Sequence, residues 1–422
     1  MHRYRRLGEA RQAARRAGYQ GAMFPWQSGS NGEEVTQVQN LNPRSGRWVP
    51  DSSYLQRHVG SAIAYNVWQY YQVTQDLEFL EFYGAELILE IARFWASVAR
   101  FNEARQRYEI RGVMGPDEFH EGYPDAPGRG LANNAYTNVM AAWVLWRALE
   151  VLELLSAVRR AELTASLGLT REEQARWEDI SHRLFVPLTN GGVISQFEGY
   201  EALREFDWDT YRTRYGNIQR LDLILEAEND TPNRYKLSKQ ADALMLFYVF
   251  SADELRAIFS RLGYSLDPGM IPRTVAYYAD RTSHGSTLCR VVHSWVFARS
   301  NRLRSMRYFA EALQSDVNDI QQGTTAEGVH LGAMAGTVDL VQRMATGIEV
   351  TGDVLRFNPQ LPREIDRLEM RVRYRGHWLN VRLTADTLTI HGRDRGPAPI
   401  RLGFRNEVYE FAGGGTQVFS LT

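Results

Sequence analysis

The apolar period of this chain changes once, near Gly347, and that change limits the folds open to it. Before it, apolar residues recur at helical spacing. Leu80, Tyr83, Leu87, Ile91, Phe94 and Val98 mark one such face within residues 77–100. Similar patterns cover residues 3–17, 53–74, 132–156, 171–184, 237–250, 252–262, 285–299, 303–315 and 328–345, about ten helices together. Ser52, Ser53 and Asp76 stand where N-caps belong. Short turns alternate with long loops rich in Gly, Pro and Asn. This predicts antiparallel helix hairpins set in a toroid, with a site at the mouth where the long loops gather. A toroid of six hairpins needs more helices than these, so about one hairpin is expected to be missing. After Gly347 the period is two. Leu368, Met370, Val372 and Tyr374 alternate with polar residues, as do Leu379, Val381 and Leu383 beyond the turn at Arg375-Gly376-His377. The expected organisation is a helical domain over 1–347 and a small antiparallel β-sandwich over 348–422.

With 49 basic and 50 acidic residues, the chain offers no electrostatic case for binding nucleic acid or an anionic membrane. No apolar run is long enough to span a bilayer. The basic stretch Met1 to Gly18 lacks the apolar segment of a secretory signal. The lone cysteine, Cys289, excludes an intrachain disulfide and fits a reducing, cytoplasmic compartment. Basic residues are almost all arginine; lysine stands only at Lys236 and Lys239. A planar guanidinium does not replace a compact ammonium in a tight pocket, so the composition singles out these two lysines.

The segment most suggestive of chemistry is Gly112-Val113-Met114-Gly115-Pro116-Asp117-Glu118-Phe119-His120-Glu121, followed by Asn133-Asn134-Ala135-Tyr136-Thr137-Asn138. It is a Gly/Pro-punctuated acidic loop between apolar helices. A carboxyl there, against apolar walls, can have its pKa raised and serve as a proton donor. The loop alone does not rank Asp117, Glu118 and Glu121, and acids in a turn commonly only cap helices. His284-Gly285-Ser286-Thr287 is a candidate anion pocket. Glycine admits the backbone close to an anion, the hydroxyls donate, and a helix start follows. Its plainer reading is a Ser/Thr N-cap beside a structural histidine. No acid stands at 282–289, which disfavours a water-activating base there.

Lys239 and Gln240 read as a polar helix start, in which the Gln240 amide can donate and accept at once. Trp26, in Phe24-Pro25-Trp26, reads as an exposed aromatic face or as core, and the polar run Gln27 to Glu34 favours a site loop. Glu327, ahead of a helix, reads as a turn cap or as a ligand-contacting acid. Nine histidines without paired ligand spacing predict no metal, despite His293 and His330.

These motifs occur together with Gly21-Ala22-Met23-Phe24-Pro25-Trp26-Gln27-Ser28, Gly32-Glu33-Glu34, Gln56-Arg57-His58, Ser238-Lys239-Gln240-Ala241-Asp242, His284-Gly285-Ser286-Thr287-Leu288 and Gly323-Thr324-Thr325-Ala326-Glu327-Gly328-Val329-His330. In that order they closely resemble glycoside hydrolase family 65, which holds inverting phosphorylases of maltose, trehalose, kojibiose and nigerose and some hydrolases. The resemblance implies an (α/α)6 toroid followed by a β-sandwich, and ranks Glu118 as the catalytic acid. It implies a phosphate site at His284, Gly285, Ser286, Thr287 and Lys239, and sugar contacts from Trp26, Lys239, Gln240 and Glu327. Glu33, Glu34, Gln56 and His58 are weaker candidates for the acceptor side. The family's tryptophan-aspartate segment is not found before Arg15, so the resemblance implies the C-terminal part of such an enzyme, starting inside the barrel. The expected activity is phosphorolysis of an α-glucosyl disaccharide to β-glucose 1-phosphate, with inorganic phosphate as co-substrate, no cofactor, and a homodimer as the assembly. A hydrolase of trehalose- or kojibiose-cleaving type, or an inactive fragment, are the alternatives.

Overall fold

Ala135–Leu154 is apolar on every side, and a helix without a polar face has to be buried. In the computed structural model, which describes residues 1–321, 325–393 and 398–421, this helix packs against Ala85–Val98 and Arg171–Arg183. Trp95, Trp143 and Trp177, one from each of the three, are fully buried. Asn134 caps the central helix by accepting from the Thr137 N–H (2.9 Å), and Thr170 caps Arg171–Arg183 by accepting from the Glu173 N–H (3.2 Å). Caps of this kind satisfy amide groups that the first helical turn leaves unpaired.

By backbone contacts the chain forms two compact units, Met1–Trp68 with Glu78–Gly285, and Gln69–Leu77 with Ser286–Thr422. The first is helical with short two-stranded pairings between its helices. Helices begin near the expected places, with informative exceptions. The segment expected at 53–74 opens with a 3-10 turn, Ser53–Leu55, and its α-helix starts only at Val59; Ser52 closes no side-chain cap there. The segment expected at 77–100 contains a π-helical stretch, Leu80–Gly84, before Ala85–Val98. The helix expected at 237–250 starts late, at Asp242. Ser238 instead donates its N–H to Arg281 O (2.8 Å) and accepts from the Ser283 N–H (2.8 Å), so a tertiary pairing overrides the helical pattern.

Four helices were not expected: Ala157–Leu167, Trp208–Tyr215, Leu221–Ala227 and Met270–Ala279. The first buries only Leu163 and the second buries nothing, so neither carries a strong apolar stripe. Met270–Ala279 carries Pro272 in its first turn, where a missing N–H costs nothing.

In the second unit, Thr287–Phe297, Arg302–Leu313 and Leu331–Thr346 pack on one another. The change of period falls between Thr346, where the last of these helices ends, and Glu349, where the first strand begins. Gly347 adopts φ +60° and donates its N–H to Arg343 O (2.7 Å), closing the helix. Two four-stranded sheets follow. One runs Glu407–Phe411, Ile400–Phe404, Val354–Phe357, Glu349–Thr351; the other runs Arg367–Tyr374, His377–Thr384, Thr387–Gly392, Thr416–Ser420. Leu355, Phe357, Leu379, Val381, Leu383, Leu388, Ile390 and Leu402 fill a common core between them. The sandwich is not wholly antiparallel as expected: Val354–Phe357 and Ile400–Phe404 pair in parallel. The chain passes through the other sheet between these two strands, which supplies the long crossover that a parallel pair needs.

Candidate active site

The acidic loop hangs between two short strands, Arg111–Val113 and Leu131–Ala132, that pair with each other ahead of the central helix. Gly115 is required in it, because a Cβ would collide with the Asp242 carboxylate and the Asn134 amide. Asp117 is 1% exposed and holds the loop. Its Oδ1 accepts from the Lys239 N–H (2.8 Å) and the Phe119 N–H (3.3 Å); its Oδ2 accepts from Gln196 Nε2 (2.6 Å) and meets His120 Nδ1 (2.8 Å). Asp117 in turn donates its own N–H to Asp242 Oδ1 (2.5 Å), while Asn134 Nδ2 donates to Asp242 Oδ2 (2.5 Å). Burial, and then the Asp117 charge, push the Asp242 carboxyl well above its usual range. Every oxygen of this buried acid pair has a partner, as burial demands.

The network brings the acid loop to the Lys239 segment. Gln240 Nε2 donates to Pro116 O (2.7 Å), and the Gly285 N–H donates to Lys239 O (3.2 Å). A Cβ on Gly285 would collide with Gln219 O, so this glycine is what allows the 283–285 segment to lie against Lys239. His284 holds φ +58° between them. At the centre, the Lys239 ammonium forms an ion pair and hydrogen bond with Glu118 Oε2. Burial pushes the Glu118 carboxyl up, but the Lys239 charge and hydrogen bond outweigh it and hold the carboxyl below its usual value. The Gln56 amide also favours the charged form, although neither of its polar atoms closes a full hydrogen bond among the described residues. Burial works against the Lys239 ammonium as well, and the Glu118 and Asp222 charges more than offset it. Glu118 therefore rests as a carboxylate, in contrast to the protonated acid expected of its loop. The loop acid that burial does raise is Glu121, which lies by Ser52.

Around the pair stand polar groups with unused capacity. Gln56 is 1% exposed, and both its amide atoms lack a hydrogen-bond partner, as do His58 Nδ1, Gln219 Oε1 and Gln240 Oε1, among the described residues. Unmet capacity at this density is a feature of sites built for a polar ligand. His58 lies between the Trp26 ring (5.4 Å) and the Tyr136 ring (5.7 Å), and burial lowers its pKa to about 4, so it is neutral at pH 7. Trp26 is half-buried and faces this histidine. The Glu34 carboxylate accepts from the Trp26 N–H (2.7 Å) and the Gln27 N–H (3.0 Å) and shapes the loop. Asp222 is the other carboxylate felt by both Glu118 and Lys239, and Arg220 binds both its oxygens (2.8 and 3.1 Å).

Of the expected residues, Glu118, Lys239, Gln240, His284, Gly285, Trp26, Gln56 and His58 thus lie on contiguous segments. Ser286 and Thr287 begin the second compact unit. Ser286 Oγ accepts from the Leu288 N–H (3.3 Å) as N-cap of Thr287–Phe297, which is the plainer reading of that serine, and Thr287 is buried. Glu327 ends a 3-10 turn, Thr325–Glu327; its side chain and residues 323 and 324 of its motif lie outside the described residues. Within the Thr287–Phe297 helix, Cys289 Sγ and His293 Nδ1 are 3.3 Å apart at i, i+4, a ligand-type spacing that the sequence reading passed over. Sequence reasoning also left Asp242 without a role and missed Gln196. Their partners are 46 to 125 residues away, and no local pattern marks such contacts.

Comparison with known proteins follows this geometry. Residues 1–339 match the glycosyl hydrolase family 65 central catalytic domain, and residues 348–411 match the family 65 C-terminal domain. The first match begins at residue 1, ahead of the quoted motifs. The chain is 55% identical over 415 residues to an uncharacterized glycosyl hydrolase of Mycobacterium tuberculosis (strain H37Rv), covering 98% of this chain and 31% of that protein. It is 36% identical over 377 residues to the trehalose 6-phosphate phosphorylase of Lactococcus lactis subsp. lactis, covering 89% of this chain and 47% of that one. The chain thus spans less than half the length of these two relatives. A solved structure assigned as a kojibiose phosphorylase from human microbiome matches with a TM-score of 0.79 at 20% identity, over 100% of this chain and 56% of the other. This likeness shows the fold class, a helical toroid followed by a β domain.

Proposed function

The chain belongs to glycosyl hydrolase family 65, and from that premise we propose that it carries the catalytic centre of an inverting phosphorylase of an α-glucosyl disaccharide. The products are β-glucose 1-phosphate and a free sugar. The observation that carries this reading is the placement of a lysine, fixed at its backbone by the acid loop on one side and by Gly285 on the other, directly against Glu118. Glu118 protonates the leaving glycosidic oxygen. Phosphate attacks the anomeric carbon from the opposite face, held by Lys239 and by the His284-Gly285 segment. Trp26 and Gln240 contact sugar, and the unpaired Gln56 amide and Gln240 Oε1 suit its hydroxyls. Phosphate is itself a competent nucleophile, so no second carboxylate is needed.

A hydrolase would need such a base. Asp222, the nearby carboxylate, has both oxygens taken by Arg220, which favours phosphorolysis. The names of relatives place trehalose 6-phosphate and kojibiose among the disaccharides to try first. Among the described residues no helix is long and apolar enough to cross a membrane, and a cytoplasmic homodimer is the form proposed.

The test is incubation of the protein with trehalose, trehalose 6-phosphate, kojibiose and maltose, with and without phosphate. Phosphate-dependent formation of β-glucose 1-phosphate from one of them is expected. Equal glucose release in both conditions would establish the hydrolase instead, and no turnover of any α-glucoside would remove the catalytic reading from this chain.

A further inference from the structure

Lys239 faces two incompatible demands. In the ligand-free site its ammonium is bound to Glu118 Oε2. A carboxylate held in that way is the wrong protonation state for an acid that must give a proton to a leaving oxygen. The stem of the same residue lies against the glycine-permitted segment at 283–285: a Cβ on Gly285 would stand 3.0 Å from Lys239 Cγ, and the Gly285 N–H donates to the Lys239 carbonyl. The Lys239 backbone is fixed, through the Asp117 carboxylate (2.8 Å) and the Gly285 N–H (3.2 Å), while the rotatable bonds of a four-carbon stem let its ammonium take up more than one position. Both demands are met in turn if the ammonium changes partner.

We infer that Lys239 is a switch: it keeps Glu118 ionised while the anion site is empty, and a tetrahedral dianion beside His284-Gly285 draws the ammonium away and leaves Glu118 to take a proton. The inference rests on the reading of this site as a phosphate site. Its proton balance is simple. Dianion binding to Lys239 breaks the Lys239–Glu118 ion pair, and one proton passes from solvent to a Glu118 oxygen. The O–H bond formed on Glu118 replaces one broken in a hydronium ion or buffer acid, and no other covalent bond changes. The charged and titratable groups facing Glu118 agree with this. Lys239 is its cation, while Asp222, bound to Arg220, is an anion that opposes ionisation of Glu118. His58, with its pKa near 4, stays neutral and does not replace the lost cation. With Lys239 withdrawn, burial is left as the main influence on Glu118, and burial raises a carboxyl. The consequence is chemical selectivity. The glycosidic oxygen meets a proton donor only when the nucleophile is already in place, so water is not offered an activated bond.

Sulfate tests this cleanly, because it is a tetrahedral dianion that carries no titrating proton of its own near neutrality. Sulfate binding is measured by calorimetry at pH 6 in buffers of different ionisation enthalpy. Uptake of about one proton per sulfate is expected, as one carboxyl passes from charged to neutral. Glu118→Gln should bind sulfate without uptake. Sulfate bound with no uptake by the wild type, or with the same uptake by Glu118→Gln, would overturn the switch and leave the anion site standing. Failure of both sulfate and phosphate to bind would overturn the phosphate reading along with it. A second measurement does not depend on anion affinity. In Lys239→Met, the Glu118 carboxyl followed by 13C-glutamate NMR, and assigned by its loss in the double variant with Glu118→Gln, should titrate at higher pH than in the wild type. An equal or lower midpoint would refute a controlling role for the lysine.

Discussion

At the scale of single residues, two glutamates three positions apart are sorted by their neighbours. Glu118 touches Lys239 and rests ionised; Glu121 lies by Ser52 and is raised by burial. A pKa argument alone would favour Glu121 as the acid, but position favours Glu118, since only Glu118 reaches the cation and the orphaned amides. Glu118→Gln should therefore lower phosphate-dependent turnover of an unactivated disaccharide by roughly a thousandfold, the scale of a lost general acid. Glu121→Gln should stay within a few-fold of wild type; the reverse order in initial rates would reassign the acid. Asp242 yields a pH signature. Its folded-state pKa is raised, so the wild type is most stabilised below the unfolded value, about 3.9, and loses stability as pH rises from there toward the folded value. Asparagine does not titrate. Asp242→Asn should cost about 1–3 kcal/mol at pH 5, because its NH2 would face the Asp117 N–H or the Asn134 amide. Urea unfolding at pH 5 and pH 8 should show that gap narrowing as pH rises; a widening gap would contradict the raised carboxyl.

At the scale of elements, helix ends and strand turns decide where the catalytic segments lie. The late start of the Asp242–Val249 helix frees Ser238-Lys239-Gln240 to pair with residues 281–285. Had the helix begun at Leu237, as its apolar pattern suggests, Lys239 would stand on a helix face and Asp117 could not accept its N–H. Two glycines of the second unit show how differently equal backbone angles can matter. Gly347 and Gly352 both have φ +60°, but a Cβ at Gly347 would collide with the backbone of Asn358, whereas at Gly352 it would meet nothing within 4 Å. Gly347→Ala is expected to cost well over the roughly 1 kcal/mol of a left-handed alanine, and Gly352→Asn only a few tenths, since asparagine tolerates that region. Thermal melts of the two variants check the contrast, and equal losses would show that the contact at Asn358 is relieved at no cost.

At the scale of the whole molecule, the active-site segments are separated by more than 200 residues of chain, from Trp26 to Gly285, so a ligand bridging them should stabilise the folded state by mass action. Phosphate or sulfate at about a hundred times its dissociation constant contributes roughly 2.7 kcal/mol. The midpoint of thermal unfolding should rise with phosphate relative to chloride at matched ionic strength, and Lys239→Met should lose most of that rise. An undiminished rise in the variant would place the anion elsewhere.

How much of this was legible in the sequence follows from the range of the forces involved. Periodicity is local, and it located the strongly amphipathic or apolar helices, the change of architecture at Gly347 and the alternating strands. It missed Trp208–Tyr215, which buries no residue and so carries no stripe. The site motifs were also local, with the acid loop, the lone site lysine and the glycine at 285 all visible as text. What the linear chain did not contain was the electrostatic state of those groups. That Glu118 is ionised and that Asp117 and Asp242 share a buried network with Gln196 and Asn134 both depend on contacts between distant segments. Sequence determined which residues and elements this protein has. Only the tertiary structure decided which charges are neighbours, because burial and Coulomb attraction act through space and take no account of the order of residues along the chain.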